Sequence, residues 1–347
     1  MELKTTDWGK GPFGEDVKLF TLVNKTGAAV SLTNYGATWV SAIVPDKNGK
    51  MDDVVLGFPD LQGYLKDSCY IGATIGRYAN RIGDAKFTVD GMTYFIVANA
   101  GKHCLHGGYR GLSFKVWKSH EESDGVSFST ISYTTENGFP GDLEVNVRYR
   151  WSDDNKLTIE FKAETSMPTP VSLTNHAYFN LAGEGKILNQ QLKINSEYYL
   201  PMVSGCIVCG KKNHVKGTPF DFTAFKAIGE DIDKDDEQLT LCKGYDESFV
   251  IKDVDDGLMQ TVAEAFDPES GRSLAMRSTF PTVHLYTANF LSSELPGKKG
   301  VVYGEREAFC LEAQFSPNSP NLPDFPSTIL RPGKVFNHVI EVQFGLR

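Results

Sequence analysis

Three short stretches of this sequence carry side chains able to move protons. Leu105-His106-Gly107-Gly108 and Thr174-Asn175-His176-Ala177-Tyr178-Phe179-Asn180 each set a histidine beside residues that punctuate strands. Phe309-Cys310-Leu311-Glu312-Ala313-Gln314 puts a single carboxylate inside an otherwise largely apolar run. That supplies one potential acid, one potential base and one further imidazole. Histidine is the side chain whose ordinary pKa lies nearest neutrality, and proton-transfer catalysis needs an acid and a base tuned to the working pH. The chain reads as an enzyme that moves protons.

Each of these groups has a plainer reading beside the chemical one. The two glycines after His106 allow backbone conformations closed to other residues and keep bulk away from the imidazole; a turn histidine at a strand end would look the same. His103 lies three residues upstream, but a metal needs more ligands than this pair. His176 is the stronger case. It follows the strand-like run Thr169 to Thr174, and Asn175 and Asn180 bracket it with amides able to fix its orientation. A core histidine packed by Tyr178 and Phe179 is the alternative. Gly76-Arg77-Tyr78-Ala79-Asn80-Arg81 sets two guanidinium groups around an amide, good partners for neighbouring hydroxyls. Strand alternation puts Arg77 and Arg81 on one face and Asn80 on the other unless a turn intervenes, and for Arg77 surface salt bridging is the expected role. Asp246, after Gly244-Tyr245, either caps a turn or grips a pair of sugar hydroxyls. Alternation places Cys310, Glu312 and Gln314 on one strand face, with Phe309, Leu311 and Ala313 on the other. That polar face suits a pocket wall. The stretch from Ser316 to Pro326 is too rich in proline for a strand and reads as an ordered loop bordering a site.

The elements that must position these groups are strands. Gly125 to Thr135, Leu143 to Trp151 and Lys156 to Ala163 alternate apolar and polar residues, the signature of strands with one buried face. Turn residues separate them at Glu136 to Gly141 and Ser152 to Lys156. The best helical signal, Phe58 to Lys66, is one or two turns long. There is no βαβ alternation, no internal repeat and no linker. The expected fold is all-β, a large antiparallel β-sandwich with very few short helices, in a single domain over residues 1–347.

Composition narrows the function classes. With 347 residues, 41% hydrophobic and 23% charged, the chain has ample material for a core. A formal net charge of −9 argues against nucleic acid or an anionic membrane as partner, since both demand a basic face. No apolar run of about 18 residues is present to span a membrane, and the N-terminus lacks the features of a signal peptide. The acidic run Asp231 to Glu237 reads as a solvated loop. Six cysteines in a chain this long fit a reducing cytoplasm. Cys206 and Cys209, with His214 beyond them, lack a fourth ligand at matching spacing for zinc and read as two loop thiols.

Taken in order, GRYANRIGDAKFTVDG, LHGG, GLSFKVW, FPGDLEVNVRY, TPVSLTNHAYFNL, GTPFDF, GYD, LYTANFL, FCLEAQFSPNSPN and LRPGK resemble the aldose 1-epimerases, or galactose mutarotases. Each stretch alone is weak, but the ordered set is specific and covers the chain from about Gly14 to its end. The resemblance implies a galactose mutarotase-like supersandwich that interconverts the anomers of free hexoses such as galactose and glucose, without cofactor or metal, as a cytoplasmic monomer or homodimer. It implies Glu312 as the base at the anomeric hydroxyl and His176 as the acid at the ring oxygen. His106 would polarise that oxygen or hold the sugar, while Asn80, Arg81, Tyr178 and Asp246 would bind hydroxyls. The chain departs from the family pattern at four places. Glu247 follows Asp246 where histidine is usual, and His284 stands where a glutamine contributes to the sugar site. His103 replaces an asparagine, and Ser204 to Gly210 replaces a Pro-Thr-Gly-type loop. Three other readings compete with this one. A hexose 6-phosphate mutarotase would want clustered cations, a sugar-binding module would need neither acid nor base, and a glycosidase would need two carboxylates flanking the bond.

Overall fold

The computed structural model describes residues 1–134, 136–251, 257–292 and 295–347. The alternating runs form strands where their period places them: Gly125–Ser132, Leu143–Trp151 and Lys156–Thr165 are successive antiparallel neighbours. Thr135, at the end of the first run, lies outside the described residues. Along Leu143–Trp151 the odd-numbered residues are buried, while Glu144 and Asn146 face solvent.

Among the described residues these strands belong to a nine-stranded antiparallel sheet. It runs from Lys118–Glu121 through Phe336–Leu346 to Lys226–Ala227. A five-stranded meander spans Glu2–Lys10 to Met51–Asp53. A third sheet carries the chemistry. Its six strands lie in the order Tyr178–Phe179, Phe309–Gln314, Thr282–Tyr286, Asp246–Val250, Tyr198–Leu200 and Asn213–His214.

One face of that third sheet is apolar. Phe249, Val283, Leu285, Phe309, Leu311 and Ala313 join Val145, Val147 and Phe161 of the large sheet and Val30 and Leu32 of the meander in one buried cluster. Burying a large apolar side chain contributes about 1.5–3 kcal/mol. A slip of one residue would turn Phe309 and Leu311 outward and drive Glu312 into the core. The core therefore fixes the register, and the register fixes which side chains face the pocket.

Helices are short. Leu61–Lys66 is the helix expected near Phe58, N-capped by Asp60, whose carboxylate accepts the Gly63 N–H at 3.2 Å. A second, Glu237–Cys242, begins at the end of the acidic run. That run is not a solvated loop throughout. Asp236 caps the helix by accepting from Gln238 and Leu239, and Asp231 is held between Lys226 and Lys234. Among the described residues no helix is long and apolar enough to cross a membrane.

Candidate active site

Cross-strand register builds two rows of side chains on the sheet face turned away from the core. Tyr178, Cys310, Tyr286 and Asp246 are successive partners across four strands. Two residues along, Glu312, His284 and Ser248 form the second row. Directly opposed residues have their Cβ atoms about 5 Å apart, so these groups are neighbours although they come from distant parts of the sequence, as Tyr178 and Cys310 do.

His176 enters this face from the loop after Thr174–Asn175, a short strand paired with Thr74–Ile75. Its backbone N–H donates to Ala73 O at 2.9 Å. The ring Nε2 lies 3.7 Å from Glu312 Oε1, and Nδ1 lies 3.5 Å from Cys310 Sγ. Tyr178 stacks on the imidazole with ring centroids 5.0 Å apart, and Tyr70 lies near-parallel at 6.3 Å. Glu312 is 1% exposed, and its Oε2 has no hydrogen-bond partner within the protein. A buried oxygen left without a partner costs about 1–3 kcal/mol, which marks it as a place where a ligand's donor is expected.

His106 lies against His176, with ring centroids 5.3 Å apart. Its strand, Cys104–Leu105, pairs with Arg81–Ile82, and Asn80 N–H donates to His106 Nδ1 at 3.2 Å. A backbone N–H can only donate, so Nδ1 keeps its lone pair and the neutral ring carries its proton on Nε2. Burial, with the nearby His176 and Arg81 charges, holds His106 well below the usual histidine range. The glycines after it serve a purpose other than clearing space around the imidazole. A Cβ on Gly107 (φ +81°) would lie 2.2 Å from Gly76 O, and one on Gly108 2.8 Å from Asn137 Oδ1. Gly107 lets two backbone segments touch, and Gly108 makes room for the Asn137 side chain.

Ligating atoms of His106, His176 and Glu312 lie within 4.8 Å of one another. Two imidazoles and a carboxylate would also suit a divalent cation. With His106 Nδ1 occupied, an ion would have to take Nε2.

The other end of the pocket is internally bonded. His284 is buried, with Nε2 2.7 Å from Asp246 Oδ1 and Nδ1 2.8 Å from Ser248 Oγ. A carboxylate only accepts, so Nε2–H donates to Asp246 and Nδ1 accepts from the serine. Asn80 Nδ2 lies 3.4 Å from the same Nε2. The Arg81 charge acts on His103, His106 and Cys206. Glu247 points to the core side of its strand, where burial pushes its carboxyl well above the usual range. His103 Nδ1 accepts from Asp84 N–H at 3.0 Å, and its Nε2 lies against Gly205.

Several sequence expectations are corrected here. Arg77 is not a surface ion-pair partner. It is 2% exposed and donates to Pro140 O at 2.8 Å, Gly141 O at 2.9 Å and Ser132 O at 2.6 Å. A turn does intervene after it, with Asn80 in the left-handed region at φ 62°. Asn175 and Asn180 do not orient His176; their amides donate to Gly72 O and to Gly185 O and Glu307 O. Cys310 and two tyrosine rings do that instead. Tyr178 donates its hydroxyl to Cys69 O at 3.0 Å while its ring covers His176, and His284 Nε2 is engaged by Asp246. His214 packs against Tyr198, and Cys206 meets Cys242 rather than Cys209. Sequence reading missed Tyr70, which contacts both imidazoles. The only local signal was Asp67, which folds the turn by accepting from Cys69 and Ile71 N–H.

Comparison with known proteins gives this arrangement relatives. The profile of a family described as aldose 1-epimerase matches residues 18–343. A galactose mutarotase of Rattus norvegicus is 40% identical over 319 residues, 91% of each chain. An aldose 1-epimerase of Escherichia coli (strain K12) is 36% identical over 337 residues, 96% of each. Among solved structures, an aldose epimerase homologue from C. elegans superposes with a TM-score of 0.88 at 34% identity, covering 94% of this chain and 98% of that one. A galactose 1-epimerase from Lactobacillus acidophilus gives 0.86 at 25% identity, covering 100% and 99%.

Proposed function

The chain belongs to the aldose 1-epimerase family, and we propose that it interconverts the α and β anomers of free hexoses, with Glu312 as base and His176 as acid. One observation carries the assignment. Glu312 keeps a buried, unpartnered carboxylate oxygen while its other oxygen lies 3.7 Å from His176 Nε2. A base and an acid this close fit the anomeric hydroxyl and the ring oxygen, which are bonded to the same carbon.

The reaction follows from those positions. Glu312 removes the proton from the hydroxyl on C1, a carbonyl forms there, and the C1–ring-oxygen bond breaks. The electron pair goes to the ring oxygen, which takes the proton of His176. As an imidazolium, His176 has Cys310 Sγ to receive its other N–H. Rotation about C1–C2 presents the opposite carbonyl face, and the same two proton transfers in reverse close the ring. His106, with its proton on Nε2, donates a hydrogen bond to the ring oxygen or a neighbouring hydroxyl. Asp246, oriented by His284, grips hydroxyls with Asn80 and Arg81, and Tyr178 holds the His176 ring in place.

No step in this scheme calls on a metal or cofactor. A phosphorylated sugar is disfavoured because Arg77 is committed to backbone carbonyls and does not join Arg81 in a cation cluster. The six thiols, none of them in a disulfide, support a cytoplasmic setting. Freshly dissolved α-D-galactose and α-D-glucose, followed by optical rotation with purified protein, test the reading. Faster decay to the uncatalysed end value is expected for both sugars. No acceleration by a folded protein would overturn it.

A further inference from the structure

The Asp246 end of the pocket holds two thiols that the reaction does not use. Cys206 sits in the tight turn between Met202–Val203 and Ile207–Val208, in the left-handed region at φ 56° and half-buried. Cys242 is the fully buried last residue of the Glu237–Cys242 helix. Their sulfurs are 3.7 Å apart, and an Asp246 carboxylate oxygen lies within 4.8 Å of both. Cys209, the partner that sequence spacing suggests, points away and contacts Pro201 O at 3.4 Å.

We propose that Cys206 and Cys242 form a reversible disulfide on exposure to peroxide, and that closing it weakens sugar binding at Asp246 and Arg81. The second half rests on the mutarotase reading; the first does not.

The two thiols differ as an attacking and a resolving pair must. The hydrogen bond from Cys242, aided by the Arg81 charge, holds the Cys206 thiol below its ordinary range. The hydrogen bond to Cys206 and burial hold Cys242 above its own. A low-lying, partly exposed thiol beside a second cysteine is the arrangement oxidation selects. The Cys206 thiolate attacks one peroxide oxygen; the O–O bond breaks, an S–O bond forms, and the leaving hydroxide is protonated to water. The Cys242 sulfur then attacks that sulfenic sulfur. An S–S bond replaces the S–O bond, and the departing hydroxide takes the thiol proton as a second water. Sulfur supplies the two electrons that reduce the peroxide.

Closure has a consequence for the pocket. A disulfide is about 2.05 Å long, so the sulfurs must approach by roughly 1.6 Å. The preceding Gly205 lies against His103, with no room for a Cβ, which would sit 2.6 Å from His103 Nε2. Movement of the turn therefore disturbs the Gly205–His103 contact beside Asp84, and it changes the surroundings of the Asp246 carboxylate, which lies within 4.8 Å of both sulfurs. Glu312, on Phe309–Gln314, and His176, in the loop before Tyr178–Phe179, lie outside the turn and the helix and keep their geometry.

The test uses the reduced protein, stepwise hydrogen peroxide, alkylation and peptide mass mapping, with mutarotation of galactose measured on the same samples. The expected result is one linkage, Cys206 to Cys242, reversed by dithiothreitol. KM should rise at least about threefold with kcat within about twofold. Cys206→Ser should form no linkage and keep its KM under peroxide, whereas Cys209→Ser should respond like the parent. A Cys206–Cys209 linkage, sulfinic acid at Cys206 with Cys242 still free, or both thiols shielded by a tightly bound zinc ion would each overturn the disulfide. A clean disulfide with unchanged KM would overturn its coupling to the sugar. Mass mapping needs no turnover, so failure of the mutarotase reading is seen separately.

Discussion

Glu312 and Asp246 face the same side of one sheet, two strands apart, yet their carboxylates are held differently. Glu312 leaves Oε2 without a protein partner, beside an imidazole that touches it only at 3.7 Å. Asp246 is bound at 2.7 Å by His284, itself bound at 2.8 Å by Ser248. A group that must change protonation during the reaction cannot be locked by donors that favour one state. A group that must present a fixed acceptor to hydroxyls gains from them, because its rotamer is set before the sugar arrives. With the proposed roles, the proton-transfer end accepts the cost of an unpaired buried oxygen, and the binding end avoids it. The four positions where the sequence is expected to depart from the family pattern, His103, Glu247, His284 and the 204–210 turn, fall at or next to the Asp246 end.

The largest test of this contrast is Glu312→Gln. The amide stays polar but cannot take the proton, so kcat should fall about a thousandfold while KM stays within about threefold. Equal losses in both would mean that Glu312 binds rather than reacts. His176→Asn should lower kcat about a hundredfold, again with little change in KM. An effect on KM alone would move the acid role to His106. Asp246→Asn probes the other end. It should raise KM about tenfold, the loss of one charge-assisted hydrogen bond, with kcat much less affected; a larger effect on kcat than on KM would erase the distinction between the two ends.

How much of this was legible beforehand follows from which interactions are local. Alternation in Phe309–Gln314 assigns Glu312 to the pocket face and Leu311 to the core from sequence alone, because period 2 is a property of one strand. Cross-strand neighbours are not legible in that way. Nothing near Cys310 in sequence shows that it contacts His176, and nothing near Cys206 shows Cys242, since both pairings are set by the register of distant strands. Arg77 was misread for a related reason: a guanidinium looks like a surface group until the backbone carbonyls it ties together are seen. Asn175 and Asn180 were misread because adjacency in sequence was taken for adjacency in space, whereas strand geometry sends their amides to other loops.

The two imidazoles extend the comparison to pH. His106 accepts a backbone N–H on Nδ1, and burial holds it neutral, so the folded state binds its proton only well below pH 6.5. The unfolded chain takes that proton near pH 6.5, so between the two values the unfolded state holds more protons and stability falls as pH falls. One such group contributes a slope of up to about 1.4 kcal/mol per pH unit. His106→Gln removes the titration, so the parent's stability advantage over this variant should shrink on going from pH 7 to pH 5 in urea melts. A constant gap would mean that His106 takes up its proton at the same pH in the folded protein as in the unfolded chain.

Cys310→Ala is the smallest effect and the finest probe of the proton-transfer end. Cys310 touches no sugar in the proposed scheme; it sits 3.5 Å from His176 Nδ1 and, kept as a thiol by burial, steadies the ring as its charge changes. Removing the sulfur leaves the Tyr70 and Tyr178 stacks in place, so the imidazole should stay in the pocket but lose its anchor at Nδ1. We expect kcat to fall about three- to tenfold with KM unchanged, which is the worth of one modest hydrogen bond. Cys310→Ser supplies a hydroxyl able to donate to and accept from Nδ1, and it should recover most of the loss and displace the pH profile of kcat. If alanine and serine are equally impaired, the sulfur acts through packing volume alone. His176 would then be held by its tyrosine neighbours, and a free acid would need no bonded partner on either side of the pocket.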